Sequence, residues 1–359
     1  MIGRLKNLRN TVPNLVIAQR VVDKMSAAAS HYLQDETGEA MIGLIVPGGY
    51  PTAVPTLYVL DTIAPDESAT VREWATFQQG DERQDELIWW LQENWRINRS
   101  KKVDNRGQSL RAKWDVPLRY LGDWHKQPGF MIQPSQGDLM TARHWIDDPD
   151  NGMDFLLAPI VTLGHPSGSA EESAATNFIT VPQSDDTCMR VDFWYLDKYG
   201  RDFQPIAPAV YPDELLPKLT EYPWHLVHDD RFRAESELLE KDGLFTSLVL
   251  WDSGTAPPLD VCFLTARMGA DKVLLLVTPH DYPASAPHAR IAPFTGIKAD
   301  DDIYDVFKDL WKVSEPVKDP PDWKWSDGRH LLDYIFALEA ALGLKTHETP
   351  SSDSQSSLD

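Results

Sequence analysis

Cysteine is scarce in this chain: two residues, Cys188 and Cys262, in a length of 359. They stand far apart in apolar, strand-like surroundings (Thr-Cys-Met-Arg-Val and Val-Cys-Phe-Leu). This excludes a disulfide framework and a zinc knuckle, and reads as two buried thiols in a reducing cytoplasm. Neither has the basic, helix-start setting that activates a thiolate nucleophile. Basic residues are also in deficit: 34 Lys and Arg against 55 Asp and Glu give a formal charge of −21. Phosphate neutralisation needs clustered cations, so nucleic acid is excluded as the main partner. Solubility is the plain reading of the surplus; steering of a basic protein partner is the functional one. No apolar run approaches the length of a membrane span, and the opening residues, with Arg4, Lys6 and Arg9, are too polar for a signal-peptide core. There is no phosphate loop, dinucleotide fingerprint or Gly-x-Ser-x-Gly elbow.

What is present suffices for two ordinary domains: 42% hydrophobic residues and 13 tryptophans, many of which must be buried between layers. Apolar residues from Val16 to Tyr32 recur at helical spacing and predict a helix ending near Gln34. Met41 to Val46, closed by Pro-Gly-Gly, and Thr56 to Ile63 read as strands. Asp81 to Asn98 carries Leu87, Ile88, Trp90, Leu91 and Trp95 on one helical face. Residues 99–115 read as a loop, Leu118 to Asp123 as a strand, and Ser135 as the N-cap of the next helix. Further strands are expected at 155–163, 177–182 and 189–196, with a flexible loop at 166–175. Prolines between Tyr211 and Trp224 mark a domain boundary. The Ser- and Asp-rich stretch 346–359 should be disordered.

The informative stretch is Gly122-Asp-Trp-His-Lys-Gln-Pro128, then Pro134-Ser-Gln-Gly-Asp138, with Glu36-Thr-Gly-Glu-Ala-Met-Ile-Gly43 upstream. A strand ends at His125 and a helix starts at Ser135, so Asp138 falls in its first turn. Strand end and helix start can meet at one point, and Glu36, near the start of another strand, can reach it. A catalytic zinc takes three N or O ligands and leaves a position for water, whose proton a nearby carboxylate can accept. Taken singly, His125 is a structural residue, Ser135 and Asp138 are a helix cap and its first-turn acid, and Glu36 is a surface charge. Taken together, at this spacing, they read as an inherited site.

The pattern resembles the JAB/MPN (JAMM) metalloprotease family, prokaryotic branch. Its signature is a glutamate ahead of Thr-Gly-Gly or similar, then His-x-His, seven residues, Ser, two residues, Asp. Here it stands as Glu36, His125-x-Gln127, Ser135 and Asp138, within a resemblance that covers roughly 200 residues. The resemblance implies a mixed sheet with flanking helices, Glu36 as general base and acid, His125 and Asp138 as zinc ligands, and Ser135 as oxyanion stabiliser. It implies hydrolysis of isopeptide or peptide bonds after the C-terminal glycine of a ubiquitin-like protein. The departure is Gln127, where the family has its second histidine; a neutral amide oxygen is the poorer zinc donor. Three outcomes stay open: Gln127 ligates weakly, another histidine such as His144 moves in, or the site holds no zinc and the domain only binds.

Downstream, Asp229 to Asp242 reads as an amphipathic helix, followed by strands at 245–251, 260–266 and 272–278. Then come Tyr282-Pro283 to Pro287, and Trp325-Ser326 leading into a helix that bears Leu331, Leu332, Ile335, Leu338 and Leu342. This arrangement resembles ubiquitin-conjugating enzymes. That family's catalytic cysteine lies between the Tyr-Pro turn and the Trp-Ser helix, and no cysteine follows Cys262. His280 and His288, flanking the turn, read as surface residues. The expectation is therefore an α/β (α+β) chain: a JAMM-like domain over 1–222, a conjugating-enzyme-like domain without its cysteine over 223–345, and the tail. The expected partners are a ubiquitin-like protein or its conjugates and, with them, activating or conjugating enzymes, in the cytoplasm, with neither nucleic acid nor membrane.

Overall fold

The structure is a computed structural model and describes residues 12–50, 53–67, 70–73, 76–78, 82–101, 112–167, 176–254, 258–294, 296–298 and 300–344. The chain is α+β and divides into two compact units, Met1–Thr220 and Glu221–Asp359. The loop expected at 166–175 and the tail expected at 346–359 fall almost wholly outside the described residues. No helix among the described residues is long and apolar enough to cross a membrane.

The first unit opens with strand β1 (Asn14–Ala18), then helix α1 (Gln19–His31). This corrects the single helix expected from Val16. Leu15 to Ala18 form an unbroken buried run, and such a run fits a strand paired on both sides better than one stripe of a helix. Next come β2 (Gly38–Val46), β3 (Thr56–Ile63), a small hairpin of β4 (Val71–Glu73) and β5 (Thr76–Gln78), helix α2 (Glu82–Lys101), β6 (Leu118–Lys126) and helix α3 (Gln136–Asp147). The remaining strands are β7 (Phe155–Leu157), β8 (Ile160–Pro166), β9 (Phe178–Pro182), β10 (Thr187–Asp192), β11 (Trp194–Asp197), β12 (Gln204–Pro205) and β13 (Pro208–Tyr211). Residues 155–163 and 189–196, each expected as one strand, are each two. They break at Ala158-Pro159 and at Phe193, and the pieces join different sheets. Proline cannot donate to a ladder, which explains the first break.

The main sheet has eight strands in the order β13-β1-β3-β2-β6-β8-β10-β9; β12-β11-β7 form a second, three-stranded sheet. Strand β6 pairs antiparallel with β2 and, at its end, parallel with β8, His125 opposite both Gly38 and Ile160. Helix α3 is seated on the small sheet by Ala142, Ile146, Leu156, Ala158 and Leu196. The two elements that carry the motif are thus each fixed by burial.

The second unit starts with a helical turn, α4 (Trp224–Val227), and helix α5 (Asp229–Lys241). An antiparallel meander follows: β14 (Phe245–Trp251), β15 (Asp260–Ala266), β16 (Lys272–Thr278) and β17 (His288–Pro293). Then come helix α6 (Ile303–Val313), β18 (Glu315–Val317) against β17, and helix α7 (Leu331–Leu342). Two clusters fill its core. Trp224, Leu239, Phe263, Tyr282, Tyr334 and Ile335 pack in one, and Cys262, Leu264, Leu275 and Phe307 in the other. Neighbouring strand residues Cys262, Phe263 and Leu264 alternate between the clusters, so both sheet faces are covered. The final helix begins at Leu331 rather than at Ser326. Asp327 and Gly328 form a turn, and the Asp333 carboxylate accepts the His330 N–H at 2.9 Å to cap the later start. Both cysteines are buried and unpaired.

His225 lies in the core beside Trp224 and Phe232, with Nδ1 unpartnered. Burial pushes its pKa down to about 4 from an ordinary 6.5. The unfolded chain therefore takes up this proton near 6.5 and the folded chain only near 4. Between those values falling pH favours unfolding, by about 3 kcal/mol in all. His225→Phe is expected to remove that part of the slope; hydrogen exchange in the second unit between pH 7 and 4.5 measures it.

Candidate functional site

The site grows from the place where β6 is clamped between two neighbours. The Lys126 N–H donates to the Thr37 carbonyl at 2.6 Å, His125 N–H to Pro159 at 3.1 Å and Gln127 N–H to Val161 at 2.9 Å. Trp124, fully buried, anchors the strand end and reaches Thr62 Oγ1 with its indole N–H at 3.5 Å. Two glycines permit this approach. A Cβ on Gly38 would stand 2.2 Å from the Trp124 carbonyl oxygen and 3.1 Å from His125 Cα. Gly122 has a φ of +134°, at a bulge in the β2–β6 register, and a Cβ there would stand 2.0 Å from the Leu157 carbonyl oxygen. Gly38→Ala is expected to push β2 off β6, move His125 and cost about 1–3 kcal/mol. An unchanged denaturant midpoint would show that the approach is not tight.

Residues 125 and 127 share one side of the extended chain, and both meet Asp138. His125 Nε2 lies 3.7 Å from Asp138 Oδ1 and 3.2 Å from Gln127 Nε2. Gln127 Nε2 donates to Asp138 Oδ2 at 3.1 Å. Helix α3 fixes the acid through a capping box. Ser135 Oγ accepts the Asp138 N–H at 3.1 Å, and Asp138 Oδ2 accepts the Ser135 N–H at 2.5 Å. Ser135 is exposed and its hydroxyl keeps its own proton to donate. Gln127 is buried, and its Oε1 has no hydrogen-bond partner.

Glu36 lies two residues before β2, half-buried, its backbone N–H on the Glu73 carbonyl of the small hairpin at 2.9 Å. Burial pushes its carboxyl up to about 7, the Asp138 charge adds to the rise, and Lys126 opposes it. Burial lowers the pKa of Lys126 against the pull of Asp35 and Glu36, and its ammonium donates to the Tyr32 carbonyl. Burial likewise lowers His125, against Asp138, so the imidazole is held neutral, the form that ligates a metal.

Of the five expected site residues, His125, Gln127 and Asp138 meet directly, Ser135 joins them through the cap on Asp138, and Glu36 stands within reach of the Asp138 charge. His144 does not join them: it is exposed, in the last turn of α3. Among the described residues no three His, Cys, Asp or Glu side chains form a group that could hold a metal. The donor types fit zinc: a neutral imidazole nitrogen, a carboxylate and, from Gln127, a buried amide oxygen that now has nothing to bond. The sequence reading missed Lys126, whose only signal was a cation between the two motif positions. It also missed the exposed apolar residues Phe130 and Met131 in the loop between His125 and Ser135, Phe130 lying edge-on to His165 at 4.8 Å.

No protein-family model matches this chain, and no curated protein matches it. Among solved structures, protein DSY2949 from Desulfitobacterium hafniense, determined in solution, is similar over 56% of this chain and 96% of that chain, at 13% identity and a TM-score of 0.29.

Proposed function

We propose that the first unit is a zinc-dependent isopeptidase or peptidase of the JAMM type, acting on a ubiquitin-like protein or its conjugates. The observation that carries this reading is the convergence of His125, Gln127 and Asp138 within 3.1–3.7 Å, with Glu36 close enough to feel the Asp138 charge. His125, Asp138 and the Gln127 amide oxygen would hold zinc, which supplies Lewis-acid activation of water and of the scissile carbonyl. Glu36 takes the proton from the attacking water and returns it to the leaving nitrogen. The buried Lys126 cation favours the carboxylate form that this requires. Ser135 donates its hydroxyl proton to the oxygen of the tetrahedral intermediate. Phe130 and Met131 offer the substrate protein apolar surface beside the pocket.

The test is cleavage of a conjugate linked through the C-terminal glycine of a ubiquitin-like protein, with metal content measured on the same sample. Cleavage that a chelator stops and zinc restores supports the reading; cleavage indifferent to chelation, or none at full zinc loading, rejects it.

A second reading is favoured by two observations. The Gln127 amide ties the two ligand side chains to each other, and the second unit, conjugating-enzyme-like in sequence, has no cysteine after Cys262. On this reading the chain is an adaptor that binds ubiquitin-like proteins or their activating and conjugating enzymes without catalysis. Partner binding that survives Glu36→Ala with His125→Ala, in a protein that cleaves nothing, supports it.

A further inference from the structure

We propose that Gln127 makes metal occupancy of the pocket conditional, its amide nitrogen facing His125 and Asp138 in the metal-free chain and its amide oxygen facing them when a divalent cation is bound. The inference rests on reading this pocket as a metal site.

A carboxamide nitrogen carries two donors and no acceptor; its oxygen carries acceptors only. Nε2 lies 3.2 Å from His125 Nε2 and 3.1 Å from Asp138 Oδ2, so one N–H serves each. The imidazole then accepts through Nε2 and carries its proton on Nδ1. The lone pair that a cation would take from the imidazole is thereby engaged by hydrogen, as is one carboxylate oxygen, Asp138 Oδ2. Gln127 is 5% exposed, so water does not compete for these bonds.

Rotation about the last side-chain bond exchanges Nε2 and Oε1. Without a cation that rotation sets the oxygen lone pairs against the Asp138 carboxylate, and the imidazole accommodates it only by moving its proton to Nε2. With a cation between them it supplies the third protein ligand. Amide orientation and metal occupancy are therefore one two-state variable, and metal must displace two hydrogen bonds to enter. The opposite end of the amide is already poor, because Oε1 is buried without a partner. Two displaced hydrogen bonds correspond to roughly 10–100-fold in affinity. A histidine at 127 has no amide to displace.

The experiment uses the full chain stripped by chelator and titrated with zinc alone, beside Gln127→His and Gln127→Glu. Gln127→His is expected to bind zinc about 100-fold more tightly than the wild type. Gln127→Glu, which sets a second carboxylate against Asp138, is expected to lose thermal stability without metal and regain it with zinc. In the stripped wild type the Gln127 side-chain amide protons are expected to exchange slowly, and their resonances to move on zinc addition. Zinc affinities equal in wild type and Gln127→His overturn the proposal. Side-chain amide protons that exchange as fast as those of an exposed glutamine overturn it too, whether or not the substituted chains fold. Absence of zinc binding in every variant overturns both this proposal and the metal-dependent function. The expected order of affinities without any cleavage rejects the hydrolase reading alone.

Discussion

If the first unit is the proposed metallopeptidase, Glu36→Gln is expected to lower cleavage by about 10²–10⁴-fold while leaving the fold and the zinc content unchanged. Glutamine keeps the side-chain shape, and the backbone bond from residue 36 to the Glu73 carbonyl is untouched. What disappears is the carboxylate that, on the proposed reading, takes a proton from water and passes it on; Ser135 Oγ is engaged as a cap acceptor. The pH profile gives a second reading of the same group. Burial and the Asp138 charge hold the Glu36 carboxyl up to about 7 in the metal-free chain, so below that value it is protonated and useless as a base. On that reading cleavage is expected to rise with pH as the carboxylate forms, and a bound zinc ion would draw that rise to lower pH. Lys126→Met withdraws the cation that opposes the upward shift and is expected to move the rise to higher pH. Equal rates for wild type and Glu36→Gln would remove Glu36 from the mechanism and leave the adaptor reading standing.

How far the sequence could be read depends on the kind of signal each segment carries. Thr56–Ile63 and the three strands Phe245–Trp251, Asp260–Ala266 and Lys272–Thr278 occupy the residues expected of them, because each is an apolar run bounded by turn residues. Ser135 caps its helix as its position before Asp138 implied. Residues 16–18, expected at the start of a helix, are strand, because the apolar run from Leu15 to Ala18 satisfies either period and only pairing with distant strands decides. Ile303–Val313 went unseen amid acidic residues, although Asp302 ahead of Ile303, Val306, Phe307 and Leu310 is a cap followed by a helical stripe. The Asp302 carboxylate accepts the N–H groups of Tyr304 and Asp305 at 2.9 and 3.1 Å. The hairpin Val71–Gln78 that meets Glu36 has strands of three residues, below what periodicity resolves. At the candidate site, the spacing pointed to His125, Gln127 and Asp138, which meet, and to Ser135, which caps the helix of Asp138. Which end of the Gln127 amide faces its neighbours is set by the lone pairs that β6 and α3 bring together, and no spacing encodes that.

Removal of the Glu235 carboxylate is expected to be the most damaging single change in the second unit. Glu235 is completely buried on α5. It accepts the hydroxyl proton of Tyr282 and the backbone N–H of Leu331 at 2.9 Å, pairs with Arg231 at 2.8 Å, and lies 3.3 Å from His330 Nδ1. One side chain thus ties α5 to the segment after β16 and to the start of α7, where the core cluster of Trp224, Tyr282 and Tyr334 lies. Glu235→Ala leaves the Arg231 charge without this partner and a buried phenol and N–H without acceptors. Breaking a buried pair from one side costs about 3–5 kcal/mol. The pair Arg233–Asp229 on the same helix, 2.5 Å apart but with side chains 64% and 54% exposed, is the control. Asp229→Ala there is expected to change stability by about 1 kcal/mol or less. Hydrogen exchange of Asp260–Ala266 and Lys272–Thr278 reports this unit alone, which matters because a chain of two units does not unfold as one. Equal protection of these strands in the two variants would mean that the buried carboxylate does not hold the helices together.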